Sequence, residues 1–287
     1  MFTVDCEASP LINISPTNQH HANQVDTVKV PFIPRVGGVL SADIAVPEHE
    51  REMRFYSLVL CTGENPLWRE DLMNNRGMPI IGLGARSAEH ADLPLQWMPH
   101  IQVANVAASV ERALELGGSE LMHAKCDDGT SQWAVLLDLN GAAFGLIPVA
   151  SAEAIPPTGD VASREAESVG CISWLDLTVS DASATRDFYR QVVDWSVQDV
   201  EMEDASERYA DYNMLGADGN PAAGVCHARG MNLGLPRGWM IYLPVGDLAE
   251  SLRRVQREGV RSSRRYGGPM GSTPMRLFRI RWGRAWR

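Results

Sequence analysis

The chain has 287 residues, 45% of them hydrophobic, and a net charge of -10. That length suits two globular units, each able to bury a core without disulfides. No run of eighteen apolar residues occurs, so no helical membrane span is expected. Residues 260–287 hold eight arginines and no acid, whereas residues 1–259 carry 18 basic and 36 acidic side chains. A body so acidic makes nucleic acid and anionic lipid poor partners.

Residues 1–35 are rich in Asn, Gln, Thr, Pro and His without a period, and read as a mobile leader. His20 and His21 read as an incidental pair within it. The opening MFTVDCEASP has no basic region followed by an apolar block, so no secretory signal is expected. The cysteines Cys6, Cys61, Cys126, Cys171 and Cys226 lack CxxC spacing and read as reduced thiols of a cytoplasmic protein.

The first unit, residues 36–150, opens with a strand over 41–46. A helix burying Met53, Tyr56, Val59 and Leu60 follows. A strand over 98–103 leads to Asn105 as cap of a helix with Val106, Val110, Ala113 and Leu114 on its apolar face, closed by Gly117. Residues 151–168, rich in Pro, Ala and Ser, read as a linker. The second unit, residues 169–259, repeats the layout. A strand over 174–179 precedes Asp181, the cap of a helix burying Ala184, Phe188, Val192 and Val193. A strand over 240–245 precedes Asp247, the cap of a helix with Leu248, Leu252 and Val255.

The repetition has a fixed register. Gly82 and Gly224, Trp97 and Trp239, Val103 and Val245, Asn105 and Asp247, and Gly117 and Gly259 are each 142 positions apart. The register fails at Gly118, whose counterpart is Val260. The basic tail that follows has two readings, a nucleic-acid-binding arm or a frameshift. Codon arithmetic favours the frameshift. Read one base earlier, the codons of Trp282 and Gly283 necessarily give glycine at 283, 142 beyond Gly141. The second unit is therefore expected to lack its last strands.

Ser173-Trp-Leu-Asp-Leu-Thr-Val-Ser-Asp181, then Asp187-Phe-Tyr189 and Val193-Asp-Trp195, resembles the opening of a vicinal oxygen chelate domain. Phe55-Tyr56 and the turn Asp138-Leu-Asn-Gly141 are similar to that superfamily's helix and closing-turn patterns. It includes glyoxalase I, bleomycin-resistance proteins and extradiol dioxygenases. The resemblance implies an α+β fold of two tandem domains, each of paired βαβββ units curled into a half-open barrel with the site inside the curve.

Catalytic members hold a divalent metal on side chains from four strands, because an enediolate or catecholate needs a Lewis acid with open positions. The matching positions here hold Ser41, Met98, Trp174 and Met240, and Gly145 takes the usual acidic position. No metal and no cofactor is therefore expected, except under an alternative in which the ligands lie elsewhere. Strand alternation puts Ser41, Asp43, Met98 and His100 on one face, and Trp174, Asp176, Met240 and Tyr242 on its counterpart. These eight are the candidate ligand-binding residues. Asp43 and His100 are the weak candidates for an acid–base pair, with a structural hydrogen bond as the competing reading. Binding of a small organic molecule without a metal is the leading expectation. A metal-dependent lyase or dioxygenase, or a non-catalytic partner-binding protein, are the alternatives.

Overall fold

The computed structural model describes residues 34–60, 67–68, 71–73, 79–151, 172, 174–205, 207–258, 262–266 and 275–278. The expected leader up to residue 33 with His20–His21, the linker from 152 to 168, Gly259, Val260 and most of the tail lie outside these residues.

Four units follow one another. The first is β1 (Val39–Val46), α1 (His49–Leu60), β2 (Leu67–Trp68), β3 (Asp71–Met73) and β4 (Pro79–Ala85). The second is β5 (Met98–Val103), α2 (Val106–Glu115), β6 (Ser119–Lys125), β7 (Ser131–Leu137) and β8 (Ala143–Pro148). They share one eight-stranded sheet ordered β2-β3-β4-β1-β5-β8-β7-β6, nearly symmetric about the β1–β5 pair. The third unit is β9 (Trp174–Val179), α3 (Ala182–Val192), β10 (Ser196–Glu203), β11 (Arg208–Leu215) and β12 (Pro221–His227). The fourth begins with β13 (Trp239–Tyr242) and α4 (Leu248–Arg257). The second sheet, β10-β11-β12-β9-β13, ends there. β14 (Ser262–Tyr266) and β15 (Met275–Phe278) pair with each other in a separate hairpin.

The fold is α+β, with two open sheets of βαβββ units, as the resemblance implied. Among the described residues the second sheet lacks closing strands, as expected: β5 pairs with β8 on its outer side, but β13 has no described partner there. β13 is shorter than the expected 240–245 strand. Pro244 has no N–H for a ladder, which suits the point where pairing stops. The described part of the tail forms β14 and β15.

Helix starts follow local chemistry. Asn105, Asp181 and Asp247 each accept a hydrogen bond from the backbone N–H three residues on, at 3.0, 2.9 and 2.9 Å, worth about 1 kcal/mol each. One face of each sheet packs under the helices. Ala42, Val46, Ile101, Leu175 and Leu177 are all 1% exposed or less. Helix faces differ in part from expectation: Ala184 is exposed and Leu114 is 45% exposed, while Thr185 and Tyr189 are buried instead.

The halves join through these helices. α1 packs on α4 and α2 on α3, and Phe144, Phe188, Tyr189 and Trp239 form a seam of edge-to-face rings 5.2 to 6.0 Å apart. Trp97 and Trp239, repeat partners in the sequence, form an antiparallel bridge with each other. A pseudo-twofold relation between the halves accounts for both the bridge and the exchange of helix partners. The helix layers thus meet at the junction, and the opposite face of each sheet is the one that the resembling fold curls inward.

Candidate functional site

The candidate residues sit where two strand ladders cross. In the first sheet, Asp43 on β1 lies between Gly82 of β4 and Met98 of β5. In the second, Asp176 on β9 lies between Gly224 of β12 and Met240 of β13. Each Asp carboxylate occupies the space above its glycine, where a Cβ would collide with it. The same Gly–Asp–Met row therefore underlies both concave faces. Met98 and Met240 are buried, at 4% and 7% exposure, and form its floor.

The next row differs. In the first sheet it is Ser41, His100 and Gly145. Ser41 Oγ is 2.9 Å from His100 Nδ1, and His100 Nε2 is 3.5 Å from Asp43 Oδ2. The imidazole is thus held between a hydroxyl and a carboxylate, with both side chains of the His–Asp pair partly exposed. The His100 ring lies across Gly145, and a Cβ there would be 2.5 Å from its Cδ2. With Nε2 facing the carboxylate, the tautomer that donates to Asp43 leaves Nδ1 to accept from Ser41. Such a chain can take up or release a proton at either end.

In the second sheet the row is Trp174 and Tyr242. Trp174 Nε1 donates to Asp176 Oδ1 and Tyr242 OH donates to Asp176 Oδ2, both at 2.7 Å. Burial raises the Asp176 carboxyl above its ordinary range. The two donors oppose that shift and the nearby Asp211 charge adds to it. All eight candidate residues therefore fall in two clusters, four on each sheet.

Sequence reasoning missed the neighbours of Asp176. Tyr209, Asp211 and Asn213 share its face on β11, and Cys226 lies between β11 and β9. Asp211 Oδ1 accepts from the His227 backbone N–H at 2.7 Å and lies 3.1 Å from His227 Nδ1. Burial, then the Asp176 and Asp211 charges, push the Cys226 thiol upward, so it stays protonated. The alternation Tyr209, Asp211, Asn213 against Tyr212 and Met214 was the available signal.

No protein-family model matches the chain, and no curated protein matches its sequence. Solved structures do. A triple mutant of 4-hydroxymandelate synthase from Streptomyces coelicolor is 14% identical, covering 81% of this chain and 77% of its own, with a TM-score of 0.49. A catechol 2,3-dioxygenase is 13% identical, with 85% and 83% covered and a TM-score of 0.49. The 2,2',3-trihydroxybiphenyl 1,2-dioxygenase of Sphingomonas wittichii is 16% identical, with 80% and 82% covered and a TM-score of 0.48.

These are structures to which the chain is similar, and its own α+β layout of βαβββ units accords with the expected fold.

The expectation of a protein without a cofactor is corrected by these matches. They include a catechol 2,3-dioxygenase and an extradiol ring-cleaving dioxygenase, and similarity to them gives no ground for excluding a metal centre. The residues present do not complete a metal centre of that kind. Asp43 and His100 provide two donors, and the third position is Gly145, covered by the His100 ring. Among the described residues no three His, Cys, Asp or Glu side chains come together as a metal group. A tightly held catalytic metal takes three protein ligands.

Proposed function

We propose that the chain is an enzyme of the lyase type within this fold, acting on a small organic molecule at the concave face of the first sheet. The observation that carries the reading is the Ser41–His100–Asp43 chain of polar contacts. His100 moves the proton, Asp43 orients the ring, and Ser41 holds the other nitrogen. A substrate whose reaction needs proton transfer at carbon next to a carbonyl, or at an acidic hydroxyl, suits this arrangement. The helix-facing side of the sheet is packed, so the concave side is where such a molecule would lie.

No helix among the described residues is long and apolar enough to cross a membrane. Cys126 and Cys226 are free thiols, which supports a reducing, cytoplasmic setting. The acidic body supports a small-molecule partner over nucleic acid.

The test is solvent deuterium exchange into a panel of α-hydroxy ketones, hemithioacetals and catechols, followed by NMR with and without added iron(II), manganese(II) or zinc. Exchange that depends on the protein and is lost in His100→Gln supports the reading. Exchange equal in wild type and His100→Gln, or none on any member of the panel, sinks it.

A further inference from the structure

The second concave face carries a signal that the proton-transfer site does not use. Thr178 follows Trp174 and Asp176 on the same side of β9 and pairs with Cys226 of β12. It is 1% exposed, and its hydroxyl is buried without a hydrogen-bond partner. An unpartnered buried hydroxyl costs free energy and wants a partner that the protein does not supply.

Around it the face is acidic and aromatic. Asp176 uses two of its acceptor positions on Trp174 and Tyr242, and a carboxylate offers about four. Asp211, 4% exposed, stands across Cys226 from Thr178 on the β11–β12–β9 ladder. No Lys or Arg side chain lies on this face of the five strands. Arg229 lies 4.3 Å over the Tyr209 ring at the far end of the face, and pairs with Asp204 and Glu207, each at 2.7 Å.

Access also differs from the first sheet. There β6, β7 and β8 continue the barrel, and Met98 lies in a buried cluster with Val135, Ala143 and Trp133. Among the described residues the second sheet ends at β13, and Trp174, Asp176, Cys226 and Tyr242 are partly exposed.

We propose that the concave face of the second sheet binds a small organic cation, a primary or secondary ammonium on an aromatic or alkyl body. Its N–H groups would reach the free acceptor positions of Asp176 and the Thr178 hydroxyl, and its body would lie against Trp174 and Tyr242. An aromatic wall beside a carboxylate suits a cation twice, by charge and by ring quadrupole. An anion would meet two carboxylates there. This site is separate from the first-sheet proton chain, and the two stand or fall independently.

The test is thermal shift and calorimetric titration of the full chain with benzylamine and phenethylamine. Benzyl alcohol and benzoate serve as the neutral and anionic isosteres. The amines should raise Tm and bind about tenfold or more tightly than the alcohol, with no response to benzoate. Asp176→Asn should abolish the response. Thr178→Val removes only the unpartnered hydroxyl, so it should melt no lower than wild type unliganded, yet bind amine about fivefold or more weakly. His100→Gln should bind amine normally. Equal responses to all four probes, no amine binding, or unchanged binding in a folded Thr178→Val protein would overturn the proposal.

Discussion

The two sheets are built on one row and finish it differently. Asp43 and Asp176 occupy the same place over a glycine and beside a methionine. Yet Asp43 faces a loosely held imidazole at 3.5 Å, whereas Asp176 is gripped by two donors at 2.7 Å. A carboxylate that is half free can shift with a proton. One held by an indole and a phenol is fixed in place. Duplication thus preserved the acid while the neighbouring row set what surrounds it, an imidazole in one sheet and two hydrogen-bond donors in the other.

The sharpest break of that comparison is kinetic. His100→Gln should lower turnover about 10²–10⁴-fold in whichever panel reaction proves active, while Tyr242→Phe leaves it near wild type. A steady-state assay with both variants checks this, and equal losses would erase the distinction between the sheets.

A second difference lies in how the units close. Asp138 Oδ1 accepts from the Asn140 and Ala142 backbone N–H groups at 2.7 and 2.9 Å, and Tyr189 OH donates to its other oxygen at 3.3 Å. Among the described residues the second half has no such turn. Asp138→Ala leaves three buried donors short and should cost about 2–4 kcal/mol, read as a lower midpoint in urea.

The glycines under the two aspartates sharpen the same point. An added methyl at Gly82 meets Asp43, which can swing aside, so Gly82→Ala should cost under about 1 kcal/mol. At Gly224 it meets Asp176, which Trp174 and Tyr242 hold in place, and Gly224→Ala should cost about 2–3 kcal/mol. Thermal melts of the pair decide it. Equal effects would mean that the two carboxylates are equally mobile.

The smallest effect belongs to the junction of α1 with α4. Glu52 is 2% exposed, its Oε2 has no partner, and burial raises its carboxyl to about 7. In the unfolded chain it ionises near the ordinary carboxylate value of about 4.3. Between these values the unfolded state gains by releasing the proton while the folded state keeps it, so stability falls as pH rises toward 7. Glu52→Gln should therefore stabilise the protein by on the order of 1–2 kcal/mol at pH 8 and by almost nothing at pH 4. Denaturant titrations at the two pH values measure it.

Much of this was legible in the chain. The 142-residue register located the repeat partners that meet as the Trp97–Trp239 bridge, and alternation put the right residues of β1, β5, β9 and β13 on the concave face. Asn105, Asp181 and Asp247 announced their helices because capping is local chemistry. The cofactor expectation failed because it weighed ligand positions one at a time against a pattern. Asp211 and Thr178 escaped notice because neither belongs to a motif. Their meaning lies in the strands beside them.

The sequence by itself determined the repeat, the periods of its strands and helices, and the place where the second copy departs from the first. All of these are local or self-referential properties of a chain. Only the tertiary structure decided which side chains share a row, since strands far apart in sequence, such as β1 and β5 or β9 and β12, become neighbours through ladder hydrogen bonds whose register no single segment encodes. That register brings Ser41, His100 and Asp43 into one chain of polar contacts, and leaves the Thr178 hydroxyl buried without a partner.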